Sequence, residues 1–199
     1  MPSLSTLLIS DIPLYAGVAG FIAWGLIERS FRFRNQQQKE GDSQDRGTYW
    51  LTSLFWFAVM VYSIFDAFWL GWTVLPPGWR ALQWVGIPIV LLGLYVRIQA
   101  RQALGTQHSA KVQTSEAHQL VTSGIYRTIR HPAYLGFICL MVGAPLCLGS
   151  MAGLALAIVG GIPAIIYRIQ IEEQALSSWF GDDYIEYTRQ TKRLIPGLW

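Results

Sequence analysis

Residues Leu120–Tyr134 read LVTSGIYRTIRHPAY, and the apolar run Ala133–Gly149 begins where they end. Pro132 suits the first turn of a helix, and its ring pushes His131 toward an extended conformation. The sequence therefore predicts a helix that begins at Pro132, next to two basic side chains. Its free backbone N–H groups, with Arg130 and His131 beside them, are suited to binding an anion. The alternative is that both side chains only reach from the bilayer into its polar interface.

The composition of the whole chain predicts a membrane protein. Of its 199 residues, 52% are hydrophobic and only 14% are charged, whereas a soluble domain has about 25% charged residues. A membrane-spanning helix needs about 20 apolar residues, and five runs approach that length. The runs are Ile12–Ile27, Tyr49–Leu75, Trp79–Ala100, Ala133–Gly149 and Gly153–Ile171. The last two are short and contain Pro145 and Pro163, so we expect them to form a kinked hairpin.

The distribution of Arg and Lys predicts the orientation of these helices. Basic residues gather after the first run, between the third and fourth runs, and after the fifth, whereas Arg80 alone would face the far side. Because cytoplasmic loops are enriched in Lys and Arg, we predict an all-α integral membrane protein of five transmembrane helices. Its N-terminus is outside and its C-terminus is cytoplasmic. The net charge of +3 follows from this topology and requires no nucleic-acid partner.

A second polar cluster follows the fifth apolar run. Arg168 and Glu172 are four residues apart, so on a helix they share one face. Gly181 is a plausible helix stop, and Asp182–Thr191 has the pattern of a short amphipathic helix. Two interpretations stay open. One is an intrahelical salt bridge, which contributes about 0.2–0.5 kcal/mol. The other is a site for a zwitterionic ligand.

Two further features were tested for a functional role. Asp66 lies well inside an apolar run, where it either hydrogen-bonds a nearby Ser, Tyr or Trp or lines a cavity. His108, His118 and His131 share no metal-ligand spacing, so no metal site is predicted.

Taken together, the motifs of the C-terminal half resemble the isoprenylcysteine carboxyl methyltransferase family, which is related to the membrane phospholipid methyltransferases. The resemblance covers roughly Leu104 to Pro196. The residues that carry it are Gln113, His118–Val121, Gly124–Tyr126, Arg130–Tyr134, Arg168, Glu172–Glu173, Leu176, Phe180–Gly181, Tyr184 and Pro196. The chain is shorter than the eukaryotic enzymes, and the segment between Gln113 and His118 is shortened.

The resemblance implies a membrane enzyme that uses S-adenosyl-L-methionine without a Rossmann domain, and no GxGxxG motif follows a strand pattern here. It implies one membrane domain, in which residues 1–103 form the N-terminal transmembrane helices and residues 104–199 form the cofactor-binding half. The implied cofactor-binding residues are Gln113, His118, Gln119, Leu120, Val121, Tyr126, His131, Pro132, Ala133, Tyr134 and Glu172. Arg168 corresponds to the arginine that contacts and positions the methyl acceptor.

The implied reaction is methyl transfer, at the cytoplasmic face, to a lipophilic acceptor that enters from the bilayer. The carboxylate of a prenylated cysteine is the family's type case and is already ionised. A lipid amine or thiol stays open as acceptor, and it would need a base, for which Glu173 or a histidine is the candidate.

Two other functions stay open from the sequence. NADPH-dependent membrane reductases of the sterol type carry a similar His-Pro-x-Tyr pattern. We would expect more basic residues near Tyr184–Trp199 to bind the phosphates of NADPH, where this chain has Arg189, Lys192 and Arg193. The other open function is that of a non-enzymatic, transporter-like membrane protein. The sequence predicts no oligomeric state.

Overall fold

The structure is a computed structural model of the chain, and it describes residues 11–34, 42–43, 47–104, 113–114 and 120–195. These residues are almost entirely helical, which confirms the predicted all-α class. The exception is a short antiparallel ladder between β1 (Asp42–Ser43) and β2 (Gln113–Thr114), in which Ser43 pairs with Gln113.

The described residues contain six main helices. They are α1 (Ile12–Arg34), α2 (Thr48–Leu70), α3 (Ala81–Leu104), α4 (Pro132–Leu148), α5 (Met151–Phe180) and α6 (Asp182–Gln190). Three of them, α2, α3 and α5, are long and apolar enough to cross a membrane, and α4 is a shorter apolar helix. The exact number of spans and the outer position of the N-terminus therefore stay predictions.

Helix α5 extends beyond the fifth apolar run, Gly153–Ile171, at both ends. It begins at Met151, where the Ser150 hydroxyl caps it by accepting from the Gly153 N–H, and it continues to Phe180. A π-helical turn at Ala157–Gly161 precedes Pro163. Proline has no backbone N–H, so one hydrogen bond of the α-helical pattern is missing there, and the wider turn fits this interruption. Helix α5 ends before Gly181, as the sequence predicts, and the acidic residues after Ile171 are helical and have partners in other parts of the chain.

Helix α4 packs against α1, α2 and α3 and lies at the centre of the hydrophobic core. Its contact with α3 depends on glycine. A Cβ atom on Gly136 would lie 2.8 Å from the Gly93 carbonyl oxygen, and one on Gly93 would lie 2.9 Å from the Gly136 carbonyl oxygen. Small residues allow such close helix crossings in membranes. The crossing brings Arg97, one turn after Gly93, against the start of α4.

The opposite end of the helices holds Asp66. This buried carboxylate accepts hydrogen bonds from the hydroxyls of Thr73, at 2.6 Å, and Ser150, at 2.9 Å, and from the backbone N–H groups of Trp72 and Thr73. The predicted hydrogen bond to a nearby serine is confirmed. Asp66 therefore ties the end of α2 to the start of α5, away from the motifs of the C-terminal half.

Candidate active site

The turn before α4 forms as the sequence predicts, with Pro132 in the first turn of the helix and His131 immediately before it. The His131 carbonyl accepts hydrogen bonds from the N–H groups of Tyr134 and Leu135, each at 3.1 Å. Because Pro132 has no N–H, the first turn has one remaining donor, the Ala133 N–H, which has no partner among the described residues.

The chain that leaves α6 lies alongside the segment that leads into α4. The N–H groups of Arg130 and His131 donate to the carbonyls of Lys192, at 2.7 Å, and Arg193, at 3.0 Å, and the Lys192 N–H donates to the Thr128 carbonyl. This parallel pairing holds the His-Pro turn against the C-terminal segment. It thereby brings the two polar motifs of the sequence together.

Glu173 lies among two arginines and a histidine, and we call Glu173, Arg130, His131 and Arg193 the Glu173 cluster. Its Oε1 accepts from Arg130 Nε at 3.1 Å and lies 3.3 Å from His131 Nε2. Its Oε2 accepts from Arg193 Nε at 2.9 Å and lies 2.8 Å from Arg193 Nη2. Both oxygens therefore have partners. The His131 imidazole is buried and directed at Glu173, so its position favours holding the turn in place.

Glu172, the neighbouring residue, has a different environment. Its Oε2 accepts from the Tyr134 hydroxyl at 2.5 Å, and that hydroxyl accepts from Arg168 Nε at 2.8 Å. Arg168 Nη1 also donates to the Thr48 hydroxyl at 3.0 Å. We call these four residues the Glu172 cluster. The other oxygen of Glu172, which is half-buried, has no hydrogen-bond partner in the described part of the chain.

Aromatic rings surround the buried Arg168 guanidinium. Its Cζ lies 6.0 Å from the ring centroids of both Tyr49 and Tyr134, within the range of a cation–π interaction. Arg168 and Glu172, four residues apart on α5, are thus joined through the Tyr134 hydroxyl. The salt bridge considered from the sequence did not anticipate this link, because Tyr134 belongs to another helix.

Tyr126 connects the site to α3 and α6. It is the buried residue of a 3₁₀ turn, Gly124–Arg127, and its carbonyl accepts from the Tyr187 hydroxyl at 2.7 Å. Burial, followed by the negative charge of Glu172, raises the pKa of Tyr126, while the charges of Arg97 and Arg101 act in the opposite direction. The phenol of Tyr126 therefore lies within electrostatic range of the Glu172 carboxylate and of two arginine cations.

A third group of charges lies beside the start of α4. We call Glu28 of α1 and Arg97 and Arg101 of α3 the Glu28 cluster. Arg97 Nε donates to Glu28 Oε1 at 2.8 Å, Arg97 Nη1 donates to the Ala133 carbonyl at 2.7 Å, and Arg101 pairs with Glu28 Oε2. Sequence reasoning missed this cluster, as it missed Thr48 and Tyr49. Its one sequence signal was Glu28, an acid at the end of an otherwise apolar run.

The remaining predicted site residues divide into three groups. Leu120 and Val121 are half-buried and lie just before the Gly124–Arg127 turn. The backbone of Gln113 belongs to β2. His118 and Gln119 lie outside the described residues, as do His108 and Pro196.

Tyr184, which the motif included without a role, is buried in α6. Only 2% of it is exposed, and its hydroxyl has no hydrogen-bond partner among the described residues.

Comparison with known proteins identifies the family. The family model described as phospholipid methyltransferase matches residues 81–183, which contain all of α3, α4 and α5. The chain belongs to this family. The matched residues include Tyr126, the His-Pro turn, Arg168 and Glu172, so the Glu172 cluster lies within the match except for Thr48.

Individual members of known function are also similar to this chain. It is 32% identical to protein-S-isoprenylcysteine O-methyltransferase B of Arabidopsis thaliana, over 60% of this chain and 64% of the plant protein. It is 34% identical to protein-S-isoprenylcysteine O-methyltransferase of Saccharomyces cerevisiae, over 56% of this chain and 48% of the yeast protein. The chain thus spans less than two thirds of the length of these relatives.

A solved structure has the same architecture. The eukaryotic intramembrane Ras methyltransferase ICMT, an isoprenylcysteine carboxyl methyltransferase, superposes with a TM-score of 0.57 at 25% identity. The match covers 77% of this chain and 53% of that chain. The predicted integral membrane fold and the resemblance to isoprenylcysteine carboxyl methyltransferases are confirmed.

Proposed function

We propose that this protein is a membrane methyltransferase that uses S-adenosyl-L-methionine and methylates the carboxylate of a lipophilic acceptor, such as an isoprenylcysteine. The observation that carries the proposal is the Tyr134 hydroxyl, which joins Glu172 to Arg168 across two helices. It places an acid suited to an ammonium group beside a cation suited to a carboxylate. The relatives named as isoprenylcysteine O-methyltransferases support the choice of acceptor.

The Glu172 side of this link fits the methyl donor. When bound, S-adenosylmethionine supplies a methyl group on a positively charged sulfur. The oxygen of Glu172 that has no partner among the described residues would accept a hydrogen bond from the donor's ammonium group. The rings of Tyr126 and Tyr134 would face the sulfonium or the adenine. Pro132 and His131 would shape the turn that presents the Ala133 N–H.

The resemblance adds contacts that the structure does not test. We propose that Gln113, His118, Gln119, Leu120 and Val121 complete the donor site from the segment before the Gly124–Arg127 turn. In this arrangement the chain is a single membrane domain, and residues 104–199 supply most of the donor contacts.

The Arg168 side fits the acceptor. Its guanidinium would bind a carboxylate oxygen through a charge-assisted hydrogen bond, while Tyr134 and Thr48 fix its direction. An ionised carboxylate needs no general base, and holding it in line with the methyl group supplies much of the rate enhancement. Arg168 is therefore the residue to which we assign acceptor binding and positioning.

The Glu173 cluster argues against an amine or thiol acceptor. Such an acceptor must lose a proton to a base. Both oxygens of Glu173 have arginine partners, and the imidazole of His131 lies 3.3 Å from Oε1. The two base candidates near the site are therefore held by each other and by arginines, which favours a carboxylate acceptor.

The same contacts weigh against a reductase that binds the phosphates of NADPH. Of the three basic residues near the C-terminus, Arg193 is paired with Glu173 and Arg189 with Glu186. Two of the three groups that would bind phosphate thus already have carboxylate partners.

We also propose that the site faces the cytoplasm and that the acceptor enters from the bilayer. The Glu28 and Glu173 clusters gather the arginines Arg97, Arg101, Arg130 and Arg193 at the same end of the helices as the site. Basic residues concentrate on the cytoplasmic side of membrane proteins. Asp66 marks the other end.

The proposal is tested with the purified full-length protein in lipid nanodiscs. Calorimetric titration with S-adenosylhomocysteine should show micromolar binding, and isotopically labelled methyl donor should transfer base-labile label to a farnesylated cysteine. The amide of that cysteine is the control acceptor and should stay unlabelled. Absence of binding, or label on the amide only, contradicts the proposal, and oxidation of NADPH by a sterol-like acceptor would favour the reductase instead.

A variant separates the two halves of the site. Arg168→Lys should bind S-adenosylhomocysteine within about twofold of the parent protein but lose about tenfold or more in turnover of the farnesylated cysteine, because the forked guanidinium is gone. Arg189→Lys, at an exposed position on α6, is the control and should change neither quantity. Normal turnover by the Arg168→Lys protein contradicts the acceptor role.

A further inference from the structure

The Glu28 cluster is a buried group of charges that the proposed function does not yet use. Its side chains are 17% exposed for Glu28, 11% for Arg97 and 5% for Arg101. It holds two guanidinium groups against one carboxylate, which lowers the cost of burying these charges and fixes the direction of the side chains.

This cluster adjoins the proposed donor site through two contacts. Arg97 Nη1 donates to the carbonyl of Ala133, the residue whose N–H has no partner among the described residues. The turn that carries Tyr126 also packs on the end of α3, where a Cβ atom on Gly124 would lie 3.6 Å from Cβ of Ala103. Arg101 thus precedes by two residues Ala103, which borders that turn.

Tyr126 lies within electrostatic range of both the cluster and Glu172. Burial raises its pKa most and the charge of Glu172 raises it further, while the charges of Arg97 and Arg101 lower it. An acid and two cations are therefore near the same phenol. An S-adenosyl ligand has the complementary arrangement, because its amino-acid end carries an ammonium and a carboxylate on the same carbon.

We propose that Arg97 and Arg101, gathered by Glu28, form the anion-binding side of the donor site and take the carboxylate of the ligand whose ammonium binds Glu172. Arg101 supplies the charge-assisted contact, and Arg97 holds the Ala133 turn in place. Glu28 is a positioning residue, which sets the direction of both guanidinium groups. The proposal rests on the proposed function, and it extends the site to α1, which lies outside the family match.

Three ligands that differ only at the amino-acid end test this assignment. S-Adenosylhomocysteine carries both charges, its decarboxylated analogue carries only the ammonium, and 5′-methylthioadenosine carries neither. The parent protein should bind the first at least about tenfold more tightly than the second, as expected for one charge-assisted hydrogen bond. In the Arg101→Gln protein that preference should fall to about twofold or less, while affinity for 5′-methylthioadenosine stays unchanged.

Two further variants make the result specific. Glu172→Gln should lower the affinity for both ligands that carry the ammonium and leave the affinity for 5′-methylthioadenosine unchanged. Asp66→Asn, which changes a buried carboxylate at the opposite end of the helices, should leave all three affinities unchanged. If Arg101→Gln binds none of the ligands, Arg101→Lys keeps the charge and should retain part of the preference for the carboxylate.

The outcomes separate this inference from the proposed function. A parent protein that does not bind S-adenosylhomocysteine overturns the proposed function. A parent protein that binds it, together with an Arg101→Gln protein that keeps the full preference for the carboxylate, overturns the inference and leaves the proposed function standing. Equal affinity of the parent protein for the first two ligands also overturns the inference.

Discussion

The Glu172 and Glu173 clusters lie side by side on α5 and contain the same kinds of residue, but they differ in how completely they are paired. Glu173 forms ion pairs with two arginines and lies next to a histidine, and both of its oxygens have partners. Glu172 accepts a hydrogen bond from one tyrosine hydroxyl, and its other oxygen has no partner in the described residues. Complete pairing stabilises a fold, whereas an incompletely paired carboxylate at a junction of helices is available to a ligand. The difference favours a structural role for Glu173, and it is the reason that we propose ligand binding for Glu172.

The strongest test of this contrast is Glu173→Gln. The substitution leaves Arg130 and Arg193 without their shared counter-charge, and breaking a buried ion pair costs about 3–5 kcal/mol. Because Arg193 is partly exposed, we expect the lower end of that range. Thermal or denaturant unfolding in a fixed detergent measures the loss. A stability equal to that of the parent protein would show that the Glu173 cluster does not hold the turn.

The second test is Glu172→Gln, which should have the opposite profile. Its unfolding free energy should change by about 1 kcal/mol or less, because a glutamine can still accept the hydrogen bond from Tyr134. Its affinity for S-adenosylhomocysteine should fall about tenfold or more. Calorimetry and unfolding on the same preparation check both values. Equal losses of stability in the two glutamate variants would remove the distinction.

The third test is Tyr134→Phe, which removes the hydroxyl between Glu172 and Arg168. Hydrogen bonds to charged groups contribute about 1.5–3 kcal/mol, so donor affinity and acceptor turnover should both decrease. Measurement of Kd and kcat on one preparation shows whether the two halves of the site are coupled. Tyr167→Phe, at a more exposed tyrosine beside Arg168 on α5, is the control and should leave both unchanged.

The smallest effect is expected at Tyr184→Phe. The hydroxyl of this buried tyrosine has no partner among the described residues. Its removal should therefore either raise the free energy of unfolding or lower it by about 0.5 kcal/mol at most. Tyr187→Phe is the matched variant and should cost about 1 kcal/mol, since its hydroxyl donates to the Tyr126 carbonyl. Burial raises the pKa of Tyr187 to about 12, so that donor stays protonated and the difference should persist up to pH near 10. If Tyr184→Phe instead weakens donor binding, its hydroxyl contacts the ligand.

Much of the architecture was predictable because its causes are local. The apolar runs predicted the membrane helices, Pro132 predicted where α4 begins, and Gly181 predicted where α5 ends. Hydropathy alone ends the fifth apolar run at Ile171, whereas α5 continues to Phe180, because the polar residues in between have partners in the segments before α4 and after α6. Hydropathy along one segment does not include such partners.

The sequence by itself determined the membrane class, the positions of the helix starts and stops, and the motifs that the family shares, since each depends on neighbouring residues. Only the tertiary structure decided which of the two adjacent glutamates has partners for both of its oxygens. The parallel pairing of residues 128–131 with residues 191–193 brings these partners to α5. The tertiary structure also brought Thr48, Glu28 and Arg97 to the site from the N-terminal helices. Hydrogen bonds and ion pairs act over a few ångströms, so the fold must form before residues far apart in the chain can serve one ligand.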